Sequence, residues 1–229
     1  SKQLDESSLV RADSISLHPG LLKACAADKE RLCPGVRPVE GAVMSCLALH
    51  ADDTLMADEC REKLADFTAK QGTDFRLNPA LAAACRQDIL SSPCGSLKLG
   101  GGKVLACLLE REEQLGSPTC KAEVAKMGRL ITADVRYNTP LFHACAVHLA
   151  DGALCGRDVL GLPPFPAPAK GKISACLKHN VTKLHANCSA EVSRLMTTQA
   201  RDVLYNPHIV RACGHEIHEP KFCGGVSHG

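Results

Sequence analysis

Thiols carry the most chemistry in this chain: its fourteen cysteines could bridge, hold a metal or act as nucleophiles. They recur as Cys25, Cys33, Cys46 and Cys60, then Cys85, Cys94, Cys107 and Cys120, then Cys145, Cys155, Cys176 and Cys188, and finally Cys213 and Cys223. The spacings contain no CxxC pair of the zinc-ribbon kind, and the cysteines recur in register with helix faces. An even count at repeated spacings reads as a disulfide framework formed in an oxidising compartment, with all fourteen in bridges. Four cysteines per module allow three pairings. Cys213 and Cys223 have no third and fourth companion in this chain; if they bridge each other, the preferred scheme is first to second and third to fourth. A Cys25–Cys46 or Cys25–Cys60 bridge would overturn it.

Other chemistry-bearing groups are weaker signals. The tail CGHEIHEPKFCGGVSHG brings Cys213, His215, His218, Cys223 and His228 close in sequence, as a zinc site would. Thiolate ligands would have to stay reduced in an oxidising compartment, so solvated histidines and no metal are the expectation. Asn180-Val181-Thr182 and Asn187-Cys188-Ser189 are N-glycosylation sequons, the first the better acceptor because the second has a cysteine at its centre. Gly100-Gly101-Gly102 lacks the Lys-Ser/Thr of a phosphate loop and reads as a turn. There is no GxSxG or HExxH, and the acidic pairs Asp52-Asp53 and Glu112-Glu113 read as solvated surface. No catalytic residue, cofactor or metal is assigned, and the chain is read as a non-enzyme.

These groups must be positioned by repeated elements. A motif ending at each first cysteine recurs: Leu17-His18-Pro19 to Cys25, Leu77-Asn78-Pro79 to Cys85, Tyr137-Asn138-Thr139 to Cys145, and Tyr205-Asn206-Pro207 to Cys213. Asn followed by Pro is a helix start, because the amide oxygen caps an early N–H and Pro needs none at the first position. Leu21, Leu81, Leu141 and Ile209, four residues before each first cysteine, put that cysteine on the inward face of a first helix. A second helix follows Gly41, Gly102 and Gly171, with Val43, Val104 and Ile173 and then Leu47, Leu108 and Leu177 on its buried side. A third begins near the fourth cysteine and carries Leu64, Val124 and Val192, then Phe67, Met127 and Leu195, at helical spacing.

Fourth cysteine to next first cysteine is 25 residues three times, whereas second to third is 13, 13 and 21. Constant length marks a packed junction, and variable length marks a surface loop. The extra length is the Pro-rich insertion 161–171, read as a tolerated loop. The expected layout is the end of a preceding truncated repeat at 1–16, repeats at 17–76, 77–136 and 137–204, and the start of a truncated fourth at 205–229. The fold class is all-α: tandem disulfide-stapled three-helix repeats stacked into an elongated solenoid-like array.

Composition agrees with small cores that need staples, since aromatics are 3% of the 229 residues and Trp is absent. A formal charge of +2, from 27 basic and 25 acidic residues, gives no general attraction to nucleic acid or an anionic membrane. No apolar run reaches the roughly 20 residues that span a bilayer.

GKVLACLLEREEQLGSPTCKAEV and GKISACLKHNVTKLHANCSAEV, with the Asn-Pro to Ala-Cys motif and four cysteines per module, resemble the repeats of a known family. It is the Golgi apparatus protein 1 family, also called the cysteine-rich fibroblast growth factor receptor and E-selectin ligand 1, and the resemblance covers essentially the whole chain. It implies a lumenal or ectodomain array in a glycoprotein of the Golgi lumen or cell surface, tethered by one membrane span outside this segment. It also implies binding of secreted or cell-surface proteins, growth factors or adhesion lectins. The alternative is a structural role, in which modules self-assemble into a rod, coat or filament.

Overall fold

In the computed structural model the described residues are 15, 18–38, 41–51, 53–150, 154–155 and 171–219. They are helical, with no strand among them. The chain forms two compact units, Ser1–Leu130 and Ile131–Gly229.

The first unit holds two cysteine quartets. The first is built from α1 (Pro19–Ala24), α2 (Ala26–Leu32), α3 (Ala42–Leu49) and α4 (Asp58–Thr73). The second follows a 3-10 turn, Phe75–Leu77, with α5 (Pro79–Ala84), α6 (Arg86–Leu90), α7 (Lys103–Glu110) and α8 (Pro118–Ala133), whose last residues belong to the second unit. That unit continues with a 3-10 turn at Val135–Tyr137, α9 (Thr139–Ala144), α10 (Ala146–Ala150), α11 (Lys172–His179) and α12 (Ala186–Arg201). It ends on a 3-10 turn at Val203–Tyr205 and α13 (Pro207–His218).

Sequence spacing places a single first helix before each first cysteine; the structure adds a second short helix after it. The chain turns at Cys25 (φ −104°, ψ 8°), Cys85 and Cys145, leaving each at the joint between two short helices. The apolar positions at helical spacing form the core. In the first quartet Leu21, Val43, Met44, Leu47, Leu64 and Phe67 close around Cys25, Cys33 and Cys60. In the third, Leu141, Leu149, Ile173, Leu177, Val192 and Leu195 close around Cys145, Cys155 and Cys188. Each buried aliphatic side chain contributes roughly 1.5 to 3 kcal/mol, and the small number per quartet is why staples matter here.

Local polar devices fix where the helices begin. Asn78 Oδ1 accepts from the Leu81 N–H, Asn138 Oδ1 from Leu141, and Asn206 Oδ1 from His208 and Ile209. His18 makes no such cap; its ring meets Phe67 edge-on at 5.2 Å. Just before these caps, Asp74 and Asp134 each accept the backbone N–H two residues on and hold Arg76 and Arg136 in side-chain pairs. Asp202 repeats the backbone bond at Leu204.

In the second and third quartets the glycine before the helix of the third cysteine ties back to the preceding long helix. Gly102 N–H donates to Thr73 O, the last residue of α4, and Gly171 N–H donates to Ala133 O, the last of α8, both at 2.8 Å. Gly41, Gly102 and Gly171 lie at φ 67°, 72° and 85°, which explains the residue type. Gln71 Nε2 adds a bond to Leu77 O, and Gln199 Nε2 one to Thr132 O.

The expected pairing is corrected. Bridges join first to fourth, as Cys25–Cys60, Cys85–Cys120 and Cys145–Cys188, and second to third, as Cys33–Cys46, Cys94–Cys107 and Cys155–Cys176. The unexpected helix is the reason in the first quartet. Cys25 and Cys33 cap opposite ends of α2, and eight residues of helical rise separate them by about 12 Å, beyond the ~7 Å that a disulfide tolerates. Cys213 is exposed and unbridged among the described residues, and Cys223, its expected partner, lies outside them.

Candidate functional site: the bridges and the clasps beside them

The first-to-fourth bridges are the buried centre of each quartet, with Cys25, Cys60, Cys85, Cys120, Cys145 and Cys188 all inaccessible to solvent. The second-to-third bridges sit nearer the surface, since Cys46, Cys107 and Cys176 are half-buried. All twelve thiols are consumed in structure, which leaves them neither nucleophilic nor metal-ligating.

Beside each central bridge the structure shows a device the sequence reading missed. The side chain three residues after the first cysteine reaches the backbone N–H three residues before the fourth. Asp28 Oδ2 accepts from Ala57 N–H at 3.1 Å, Asp88 Oδ2 from Ser117 N–H at 3.3 Å, and His148 Nε2 from His185 N–H at 3.2 Å. Asp88 Oδ1 also takes the Gly116 N–H at 2.6 Å. Each contact clasps the short post-cysteine helix to the start of the long one, adding a polar tie to the covalent one. The signal was legible as Asp at the same offset after Cys25 and Cys85, but the histidine of the third quartet hides it.

Basic side chains reinforce two of these loops. Arg61, one residue after Cys60, donates to the carbonyls of Ala51, Asp53 and Met56. Lys121, one after Cys120, donates to Glu113 O. The matching residue after Cys188 is Ser189. Asp53 is more than solvated surface: it accepts from Leu55 N–H and pairs with Arg31, which hold its carboxyl below the ordinary range. Asp52 lies outside the described residues, and Glu112-Glu113 stand in a 3-10 turn.

Asn187 is exposed in the first turn of α12, whereas Asn180 is half-buried, its amide donating to Cys176 O and its oxygen accepting from Lys183. His215 is exposed on α13; Cys223, His228 and the insertion 161–170 lie outside the described residues. Gly100, Gly101 and Gly102 all have positive φ and form a turn. Among the described residues no group of three His, Cys, Asp or Glu is placed to hold a metal. Burial pushes the Lys178 ammonium below the ordinary lysine value, with Gln199 Oε1 as its partner. No helix among the described residues is long and apolar enough to cross a membrane.

Comparison with known proteins adds a sequence relationship. The family described as Cysteine rich repeat matches residues 5–55, 58–116 and 118–185. Golgi apparatus protein 1 of Rattus norvegicus is 26% identical over 205 residues, that of Gallus gallus 25% over 206, and that of Cricetulus griseus 26% over 205. Each match covers 86% of this chain and 17% of the relative, so the chain spans about a sixth of their length. No solved structure matches. The matched segments begin two residues before Cys60 and Cys120, so Cys25–Cys60 and Cys85–Cys120 each join one family segment to the next, while the second-to-third bridges stay within one.

Proposed function

Because this chain belongs to the Cysteine rich repeat family, we propose that it is a non-enzymatic repeat scaffold that binds secreted proteins along the Golgi and secretory route. Relatives named for the Golgi apparatus and bridges that need an oxidising lumen support the location. The carrying observation is a constant frame with a changing outer face. On α2, α6 and α10 the clasp position repeats, while exposed positions differ: Ala27, Gln87 and Val147 in one row, Glu30, Leu90 and Ala150 in another. Repeat arrays recognise partners through such variable positions on a rigid frame.

Repeats 17–76, 77–136 and 137–204 are the units of recognition in this reading, and a growth factor or adhesion lectin is the class of partner. The second repeat presents Leu90 and Leu99 at 69% and 50% exposure, as an apolar contact would. The oxidised chain is immobilised and offered purified growth factors and lectins, alongside an L90E/L99E variant. Saturable binding that the variant loses supports the reading; no binding, or equal binding to a chain unfolded by reduction, overturns it. Asn180 and Asn187 are the proposed glycan acceptors, checked by an intact-mass shift removable with glycosidase.

One observation favours self-assembly as a second reading. Cys213 is exposed and unbridged among the described residues, and Ile209 is 40% exposed where Leu21, Leu81 and Leu141 are buried. Non-reducing electrophoresis and sedimentation separate the two: disulfide-linked or concentration-dependent oligomers that C213S abolishes favour assembly.

A further inference from the structure

The third clasp differs from the other two in one chemical respect. Asp28 and Asp88 accept backbone N–H groups as carboxylates, but in the third quartet both accepting side chains are imidazoles. His148 Nε2 takes the His185 N–H, and His185 Nδ1 in turn takes the Cys188 N–H at 3.3 Å, capping α12. In the second quartet that cap is the Ser117 hydroxyl, accepting from Cys120 N–H at 3.2 Å. The two rings lie face to tilted face, centroids 4.7 Å apart. Both bonds use a ring lone pair, so both require a neutral ring, with the proton on Nδ1 of His148 and on Nε2 of His185.

We propose that His148 and His185 form an acid-released clasp, which opens the turn before α12 in the third repeat while the aspartate clasps of the first two stay closed. A solvent proton taken up at His148 Nε2 turns that acceptor into a donor facing the His185 N–H. A second at His185 Nδ1 does the same to the helix cap, and the two stacked cations then repel. Histidine is the side chain whose ordinary titration spans the range from neutral to mildly acidic, whereas aspartate stays ionised there.

The surrounding charges do not replace the lost acceptors in their recorded contacts. On the adjoining turn Lys183 donates to Asn180, and on α12 Glu191 is paired with Arg194. On α9 His143 meets Phe142, while α11 carries Lys172, His179 and Lys178, the last bound to Gln199. Asp151 lies outside the described residues. Ser189 supplies no cation where Arg61 and Lys121 brace the other loops. Cys145–Cys188 still ties α12 in place, so the opening is local: it frees the turn carrying Leu184, a buried member of the third core.

The test is hydrogen exchange of the oxidised chain at about pH 7.5 and about pH 5.5, with protection corrected for intrinsic rates. For an ordinary imidazole the neutral fraction falls from roughly nine in ten to roughly one in ten over that interval, so protection of the His185 and Cys188 amides is expected to fall up to about tenfold. Protection of Gly116, Ser117 and Cys120 is expected to hold. Equal falls in both segments, or no fall at His185 and Cys188, overturn the proposal. H148D/H185S, which installs the second repeat's clasp, should remove the pH response; a response that persists in the folded double variant also overturns it. The wild-type comparison stands by itself if that variant does not fold.

Discussion

Cys25 and Cys60, 35 residues apart in sequence, lie with their Cα atoms 4.8 Å apart, and the loop they close contains the Cys33–Cys46 bridge entirely. Nesting gives the two bridges different duties. The outer one joins the start of the module to its last helix, and the inner one ties α2 to α3. The same nesting holds for Cys85–Cys120 around Cys94–Cys107 and for Cys145–Cys188 around Cys155–Cys176.

Loss of the outer bridge is expected to cost more than loss of the inner one. Chain entropy assigns roughly 4 kcal/mol to a 35-residue closure and roughly 3 to a 13-residue one. The buried position of Cys85 and Cys120 adds lost packing in the outer case. Urea unfolding of C85A/C120A against C94A/C107A reads the order, and an inner-bridge variant that is the less stable of the two contradicts it.

Asn78→Ala removes a buried helix cap and leaves the Leu81 N–H without its partner, so a loss of about 1 kcal/mol is expected, measured as a lower urea midpoint at unchanged slope. An unchanged midpoint would show that the following Pro79 sets the helix start without the cap.

Gly171→Ala should be worse than Gly100→Ala. Both glycines have φ near 85°, which costs an L residue roughly 1 to 2 kcal/mol. At Gly171 a Cβ would also meet His208 Nε2 at 2.8 Å and Pro207 at 3.1 Å, while at Gly100 it meets nothing within 4 Å. Thermal melts of the two variants measure the difference, and equal melting temperatures would mean that the His208 ring gives way freely.

Asp53 predicts an acid-limb effect. The Leu55 N–H and then Arg31 hold its folded carboxyl below the ordinary 3.8, so the unfolded chain binds the proton first as pH falls. Its stabilising contribution is full above the unfolded value and disappears as pH falls through the lower folded one. The urea midpoint of D53N should therefore lie below wild type near neutral pH and converge with it near about pH 2. Parallel curves throughout would assign the whole difference to hydrogen bonding.

The periodic apolar positions made the helices legible because a buried face repeats wherever a helix does: Leu47, Leu108 and Leu177 are fully buried in their three modules. The asparagine caps were legible for the same local reason, with His18 the exception, its ring set edge-on against Phe67 and making no cap bond. The short helices after Cys25, Cys85 and Cys145 were not legible, being only five to seven residues long, with a carboxylate, Asp28 or Asp88, as the buried residue of the first two and Leu149 alone buried in the third.

Sequence alone determined that this protein is an oxidised, all-α repeat, because composition, cysteine spacing and capping residues act over a few turns of chain. Tertiary structure alone decided which sulfurs meet and which side chain clasps which helix. Pairing depends on distance in space, and the seven-residue helix that separates Cys25 from Cys33 is too short to be stable without tertiary packing such as that which brings Cys25 to Cys60.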